Sequence, residues 1–260
     1  MKVKFTGIVE ENKSIKDEIL NSISLLLDRG DFILGNSLKK FENNFAKFVG
    51  SKYAIGVNSG SDAITLSLKA INLKPGDEVI TCPNSYIATS WAIVAAQGTP
   101  VFIDCDDSMN IDVSKIESSI NANTKAIIPT HLTGLPCDID EIEKIASKHK
   151  IPVIYDCAQA VGSKYKNKYI GGNSYISCFS LHPLKNLAVI GDGGIITTNN
   201  YKIYKQLLLL RNHGASNRDS VKIWGFNSRL DNIQASIAQI KLKKLKIWIK
   251  HVRDIADRYS

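Results

Sequence analysis

The chain carries the stretch YAIGVNSGSDAITLSLKAINLKPGDEVIT at residues 53–81, and this stretch decides the fold. It begins with a short apolar run, Tyr53–Val57, which predicts a buried strand. The turn at 58–61 opens a segment whose apolar side chains recur at helical spacing. Pro75-Gly76-Asp77 then forms a turn before a second strand, Glu78–Thr81. The order strand, helix, strand is typical of an α/β domain.

The same alternation continues along the chain. Two helices come first, at 13–27 and around 38–48. After residue 81, apolar runs predict strands at 101–104, 126–130, 152–155, 175–180 and 194–197. Between them, helical spacing predicts helices near 88–96, 113–120 and 139–149. Together these elements predict an α/β fold with a mostly parallel seven-stranded sheet flanked by helices.

The composition argues against several classes of protein. The chain has 260 residues, of which 44% are apolar and 22% are charged, as in a globular protein with a full core. Residues 1–7 lack the apolar core of a signal peptide, and the apolar run at 86–96 is too short to span a bilayer. The five cysteines are odd in number and form no CxxC pair, so we expect neither a disulfide framework nor a metal site. We expect a cytoplasmic protein without a membrane partner.

The net charge of +8 is concentrated in one segment. Residues 239–253 hold six basic side chains and no acidic one, and without those six the net charge falls to +2. Apolar residues recur along one face of this segment, which predicts an amphipathic helix. A nucleic acid or a membrane surface could bind such a helix. We favour a solvated, lysine-rich helix face and expect no nucleic-acid partner.

Polar residues follow the predicted strands where open α/β sheets bind their ligands, outside the carboxyl ends of the strands. These residues are Ser59-Gly60-Ser61, Tyr86, His131, Asp156 and Lys185. Pyridoxal 5′-phosphate (PLP) requires an amine for its aldehyde, a carboxylate for its ring nitrogen, a flat partner for its ring and N–H or O–H donors for its phosphate. The residue types after the strands are therefore those that a PLP site needs.

Lys185 is the candidate amine, and Asp156 is the candidate partner of the ring nitrogen. Lys185 lies in a largely uncharged run, FSLHPLKN at 179–186, where desolvation would favour nucleophilic attack. A surface cation is the alternative interpretation of this lysine. Asp156 ends an apolar strand, so it is either a helix N-cap or a buried carboxylate that needs a positively charged partner.

The segment Ser59-Gly60-Ser61-Asp62 joins a strand to a helix. It fits a phosphate cup at a helix N-terminus, although Ser-Gly-Ser is also a common turn. Ser180 precedes Lys185 by five residues and could add a hydroxyl. Gly191-Asp192-Gly193-Gly194 lacks the GxGxxG spacing and precedes a strand, so we interpret it as a tight turn and not as a dinucleotide site.

Several ordered motifs then resemble a known family, the DegT/DnrJ/EryC1/StrS aminotransferases, which are fold-type I PLP enzymes. The resemblance begins at Phe32-Ile33-Leu34-Gly35 and runs to the end of the chain. Its motifs are NSGSDA at 58–63, PGDEVI at 75–80, HLTG at 131–134, DCAQA at 156–160, FSLHPLKN at 179–186, GDGG at 191–194 and NSRLD at 227–231.

The resemblance implies a role for each residue around the cofactor. Lys185 and Asp156 match the catalytic pair of the family, namely the lysine that bonds to PLP and the partner of its ring nitrogen. Gln159 matches the residue beside the PLP hydroxyl. Tyr86 stands where the family places an aromatic ring on the face of the cofactor.

The remaining implied contacts concern the phosphate and the substrate. Gly60, Ser61 and Ser180 match the phosphate cup of the family. His131 and His182 are the candidates for contact with the substrate.

The resemblance also implies the partners. Family members with histidine in place of the lysine act as dehydratases, so Lys185 is similar to the lysine of the transaminating branch. The implied reaction moves an amino group from glutamate to a nucleotide-linked 3- or 4-keto sugar, in polysaccharide biosynthesis. Asn227 matches a residue that reaches the cofactor phosphate of the neighbouring subunit, which implies a homodimer with shared active sites. The alternative is a truncated relative that binds PLP or dimerises without turnover.

The domain organisation follows from the same resemblance. We expect one PLP-binding large domain at 1–238, including the N-terminal helical segment, and a basic helix at 239–260. In the family this helix leads to a small C-terminal domain, which we expect to be absent here. The basic helix would then leave an apolar patch exposed.

Overall fold

A computed structural model of the chain describes residues 6–172 and 174–260. The strands are β1 (Tyr53–Val57), β2 (Glu78–Thr81), β3 (Thr99–Phe102), β4 (Thr124–Ile128), β5 (Ile154–Asp156), β6 (Lys164–Tyr165), β7 (Lys168–Tyr169), β8 (Ile176–Ser180), β9 (Gly194–Thr198), β10 (Ala215–Asn217) and β11 (Ser220–Val221). The α-helices are α1 (Ile8–Lys13), α2 (Lys16–Arg29), α3 (Asn36–Val49), α4 (Gly60–Ala70), α5 (Ala88–Ala95), α6 (Ile139–His149), α7 (Tyr201–Leu210) and α8 (Asn232–Tyr259).

Seven strands form one mostly parallel sheet in the order β3-β2-β4-β5-β8-β9-β1, which confirms the predicted architecture. Two parallel bridges, Ile127 with Val153 and Thr130 with Asp156, join the β3-β2-β4 part to the rest. Strand β9 is antiparallel to both of its neighbours, β8 and β1. The other strands form two small hairpins, β6-β7 and β10-β11.

Helices cover both faces of the sheet, because successive strand residues point to opposite sides. In β5, Ile154 packs into the core under α4, α5 and α7, whereas Tyr155 packs into the core under α3, α6 and α8. Phe45 of α3 and Phe179 of β8 meet edge to face in this second core, with ring centroids 5.2 Å apart. In the described ranges, no helix has the length and apolarity that crossing a membrane requires.

The helix predicted at 113–120 is absent. The structure instead has two short 3₁₀ helices, Val113–Lys115 and Glu117–Ser119. The hydroxyl of Ser119 donates to the carbonyl of Lys115 at 3.0 Å. Serine side chains that compete for backbone carbonyls in this way disfavour a continuous α-helix.

Helix α8 begins at Asn232, before the predicted basic segment, so the proposed boundary between residues 238 and 239 lies inside it. Lys241 is buried, and its Nζ lies 2.9 Å from Oε1 of Glu11. The prediction of a solvated lysine face is therefore wrong at Lys241, because α1 pairs with it. Further along, α8 exposes Ile247 and Val252, which agrees with the expected apolar patch.

A buried ion pair connects α3, β1 and α7. Glu42 and Arg211 are in direct contact through Oε1 and a guanidinium N–H, and both side chains are largely buried. The same guanidinium donates to the carbonyl of Gly56 at 2.9 Å, while Oε1 of Glu42 accepts from the N–H of Gly56 at 2.8 Å. The two side chains thus provide hydrogen-bond partners for the N–H and the carbonyl of Gly56 in β1, as well as for each other.

His131 is a second buried polar group, stacked on Tyr155 with ring centroids 5.1 Å apart. Its Nδ1 accepts from the N–H of Cys137 at 3.1 Å, so a neutral ring carries its proton on Nε2. Among the described residues, this Nε2 has no hydrogen-bond partner. Burial lowers the pKa of His131 from 6.5 to about 4. The folded protein therefore keeps this ring neutral at a pH where the unfolded chain would protonate it.

We expect Arg211→Ala to lower the free energy of unfolding by about 3–5 kcal/mol, because it leaves the buried Glu42 carboxylate without its partner. Urea denaturation measures the change. Lys202→Ala removes an exposed cation from α7, the helix that Arg211 follows directly, and should change stability by less than about 0.5 kcal/mol. If Arg211→Ala lowers the free energy of unfolding by less than about 1 kcal/mol, the ion pair does not stabilise the fold as proposed.

We expect His131 to make the fold less stable as the pH falls from about 6.5 to about 4, because the unfolded chain then binds a proton that the folded chain does not. The full effect is about 3 kcal/mol. Urea denaturation across this window should show a smaller pH dependence for His131→Asn, which keeps an acceptor but does not titrate. The control His213→Asn removes an exposed histidine and should keep the wild-type dependence. Parallel curves for wild type and His131→Asn would contradict this assignment.

Candidate active site

One cavity of about 440 Å³ opens at the carboxyl edge of the sheet. Strands β2, β4, β5 and β8 run in the same direction, so the loops that follow them meet at this edge. The fold brings most of the predicted site residues together here. Those that line the cavity are Gly60, Ser61, Tyr86, Asp156, Gln159, Ser180, His182 and Lys185.

Asp156 ends β5, and its side chain is buried in the wall of the cavity. Its Oδ2 accepts a hydrogen bond of 2.7 Å from the Thr89 hydroxyl, and its Oδ1 accepts one of 3.0 Å from the N–H of Ala158. Burial raises the pKa of the Asp156 carboxyl, while these two hydrogen bonds and the charge of Lys185 lower it. A further positive charge in the cavity would stabilise the carboxylate.

Lys185 lies in the loop between β8 and β9 and is half-buried at the cavity. Its backbone N–H donates to the carbonyl of His182 at 2.8 Å, which closes a turn. Beyond the lysine, Leu187 is buried, and the N–H of Val189 donates to the carbonyl of Leu181 at 2.8 Å. The loop is therefore fixed on both sides of the lysine.

The start of α4 and the end of β8 form the cup predicted at Gly60, Ser61 and Ser180. Ser59 caps α4, because its Oγ accepts from the N–H of Asp62 at 3.0 Å. The N–H groups of Gly60 and Ser61 belong to the first helical turn and have no acceptor within the helix. A Cβ on Gly60 would lie 2.7 Å from the Cβ of Ser180, so glycine permits this close approach. The cup is suited to an anion.

Gln159 and Tyr86 border the cavity from two other loops. The Oε1 of Gln159 accepts from the N–H of Thr133 at 2.5 Å, so its amide N–H groups are the ones that can donate to a ligand. Tyr86 precedes α5 and is 76% exposed. An accessible aromatic ring at this position could stack on a flat ligand.

The three other predicted residues have different surroundings. His131 is fully buried and is not part of the cavity wall, which favours a structural role over the predicted contact with substrate. Asn227 also lies outside the cavity wall, with an exposed side chain. His182 lines the cavity, and its Nδ1 accepts from the N–H of Leu184 at 3.3 Å, which leaves Nε2 for a ligand.

Thr89 contacts the predicted site residue Asp156 and was not predicted from the sequence. It follows Tyr86 by three residues, close to one helical turn, and this spacing could have placed it beside the site. Its contact with Asp156 has no sequence signal, because the two residues are far apart in the chain. Asp192, which the sequence analysis placed in a tight turn, also lines the cavity.

The residues present fit PLP. Lys185 would hold its aldehyde, and the buried Asp156 would hold its ring nitrogen. The close contact between Gly60 and Ser180 provides the narrow cup that would hold its phosphate. Across the described residues, no group of three or more His, Cys, Asp or Glu side chains could hold a metal ion.

The sequence model of the DegT/DnrJ/EryC1/StrS aminotransferase family matches residues 13–260. A dTDP-3-amino-3,6-dideoxy-alpha-D-galactopyranose transaminase of Aneurinibacillus thermoaerophilus is 42% identical over 258 residues, which cover 99% of this chain and 71% of that protein. A UDP-N-acetyl-3-dehydro-alpha-D-glucosamine 3-aminotransferase of Acidithiobacillus ferrooxidans is 40% identical over 247 residues, which cover 95% of this chain and 67% of that protein.

The fold agrees with that of solved aminotransferases. DesV of S. venezuelae, crystallised in complex with a ketimine intermediate, superposes with a TM-score of 0.97 at 36% sequence identity. This match covers 99% of the chain and 70% of DesV. On its sequence, its fold and the composition of its cavity, the chain belongs to the DegT/DnrJ/EryC1/StrS family of PLP-dependent aminotransferases.

Proposed function

We propose that the chain is the PLP-binding part of an aminotransferase that moves an amino group from glutamate to the 3- or 4-keto group of a nucleotide-linked sugar. The observation that carries this proposal is the pairing of Lys185 and Asp156 at one cavity, where the lysine charge lowers the pKa of the carboxyl. The two relatives named above act on dTDP- and UDP-linked sugars. Their acceptors differ, so the proposal carries over the class of acceptor and not one sugar.

Each residue of the cavity has a task in this reaction. When bound, PLP supplies an aldehyde that takes up the amino group and a ring that withdraws electrons from the donor. Lys185 would hold the cofactor at its Nζ and, once released, would serve as the base that moves the proton of the donor's α-carbon. Asp156 would keep the ring nitrogen protonated. Gly60 and Ser180 would hold the phosphate and so orient the ring.

A second cavity, of about 520 Å³, adjoins the first at Gln159, Leu184 and Lys185. It extends to helix α8, where Trp248 and Arg253 line it. We propose that the donor and the sugar approach Lys185 from this side, because the cofactor fills the first cavity. An aromatic ring and a guanidinium suit the base and the phosphates of a nucleotide.

We also propose a homodimer with shared active sites, in which Asn227 serves the cofactor of the neighbouring subunit. Its exposed position outside the cavity wall of its own chain supports this role. Trp224 is 96% exposed and Phe226 is 42% exposed, both within three residues of Asn227. Exposed aromatic side chains close together favour a protein contact.

A cytoplasmic location and a role in polysaccharide biosynthesis stay predictions.

We expect Lys185→Ala to abolish covalent attachment of PLP and to slow amine transfer by at least roughly 1,000-fold. The absorbance of the protein with PLP measures attachment, and mass spectrometry measures the amino sugar formed from glutamate and a dTDP- or UDP-linked keto sugar. Lys168→Ala, in the β6-β7 hairpin, is the matched control and should keep both properties.

The outcomes separate the parts of this proposal. If the unaltered chain does not attach PLP, the cofactor assignment is wrong. Attachment without conversion by glutamate would support a non-catalytic PLP-binding protein. If glutamate converts the bound cofactor but no amino sugar is formed, only the proposed class of acceptor is wrong.

We expect mixed dimers to reveal the sharing of sites. Lys185→Ala and Asn227→Ala chains, each weakly active at limiting PLP, should regain roughly a quarter of wild-type activity after they are unfolded and refolded together. One site of each mixed dimer then has both residues intact. Lys185→Ala mixed with Asp156→Ala is the control, because both residues serve their own chain and no site is restored. Equal activity in the two mixtures would contradict the shared site.

A further inference from the structure

Thr89 holds one oxygen of the Asp156 carboxylate. It lies in the first turn of α5 and is 1% exposed, and its hydroxyl donates to Oδ2 at 2.7 Å. The other oxygen, Oδ1, accepts from the N–H of Ala158 at 3.0 Å. Because the two donors bind different oxygens, they fix the rotation of the carboxyl group.

A second hydroxyl fixes Thr89 in turn. The Oγ of Ser85 lies 2.5 Å from Oγ1 of Thr89. The single proton of the Thr89 hydroxyl goes to the Asp156 carboxylate, so Thr89 can only accept from Ser85, whose hydroxyl also lies 3.0 Å from the carbonyl oxygen of Tyr86. The segment that presents Tyr86 to the cavity therefore also presents a chain of two hydroxyls to Asp156.

We propose that Thr89 is a positioning residue, held by Ser85, which orients the Asp156 carboxylate toward the ring nitrogen of the cofactor. This inference rests on the proposed function, since it assumes that PLP occupies the cavity. Thr89 acts through Asp156 and is not a part of the cavity wall. Each carboxylate oxygen has two lone pairs and uses one of them for the donor described here. The other lone pair stays free to accept from the ring nitrogen.

The charges around Asp156 are consistent with this role. Lys185 lowers the pKa of Asp156, but the hydrogen bond from Thr89 lowers it more. The charge of Asp156 raises the pKa of the thiols of Cys137, Cys157 and Cys178, and burial raises it more, so the three thiols stay neutral near pH 7. Thr89 is therefore the main group in the chain that opposes the effect of burial on this carboxyl.

The test is Thr89→Val, which keeps the shape of the side chain and removes its hydroxyl. Two measurements are made on the PLP-loaded chain, the pH titration of cofactor absorbance and the rate of a single turnover with glutamate. We expect the turnover to slow by about 10-fold or more, the effect of losing a hydrogen bond to a charged group. We expect the titration midpoint to rise, because a ring nitrogen held less firmly in its protonated form makes the lysine-linked nitrogen more basic.

Thr81→Val is the matched control. Thr81 is a buried threonine whose hydroxyl donates to the carbonyl of Ile128 at 2.8 Å, so it controls for the loss of a buried hydroxyl away from Asp156. Thr89→Ser keeps the hydroxyl and should restore both readouts. If Thr89→Val does not fold, Thr89→Ala supplies the same comparison.

The outcomes distinguish this inference from the proposed function. A shifted titration and a slower turnover in Thr89→Val alone support the positioning role. Wild-type behaviour of Thr89→Val in both measurements overturns it and leaves the proposed function intact. If the wild-type chain itself shows no cofactor band, the proposed function fails, and the inference fails with it.

Discussion

The structure is organised around one buried carboxylate. Asp156 is 5% exposed, and an unpaired ion in a protein interior costs several kcal/mol. The chain lowers this cost with the hydroxyl of Thr89, the N–H of Ala158 and the charge of Lys185. The N–H of Ala158 is local, whereas Thr89 and Lys185 come from a different helix and a different loop, so those elements must be in place before the carboxylate is fully stabilised. The same partners leave the carboxylate able to bind a protonated ring nitrogen.

The sheet makes this convergence possible. The carboxyl ends of the parallel strands lie at one edge of the sheet, and Asp156 and Lys185 lie at or just after these ends. Close contacts between backbones then fix the cup. A Cβ on Gly194 would lie 2.2 Å from the carbonyl oxygen of Ser59, at the place where antiparallel β9 passes the start of α4. The glycine after the GDG turn therefore permits close packing of β9 against the residue that caps α4.

The strands, most of the helices and the cavity residues could be predicted because their signals are local. The residues that make up an apolar run, a glycine turn or a short motif lie within a few positions of one another in the chain. The failures have one physical cause, which is that burial depends on the rest of the fold. Lys241 belongs to a basic segment, yet α1 covers it and Glu11 pairs with it. His131 follows a strand like the cavity residues do, yet its ring is enclosed in the core.

The sequence by itself determined the α/β class and the family, and it predicted Lys185 and Asp156 as the central pair of the site, because these inferences depend on residue types at fixed spacing. The tertiary structure alone decided which side chains meet across the chain. It brought Thr89 to Asp156 and enclosed His131 in the core, and it left Asn227 outside its own cavity. These outcomes depend on packing between elements far apart in the chain, and no local pattern of residues records that packing.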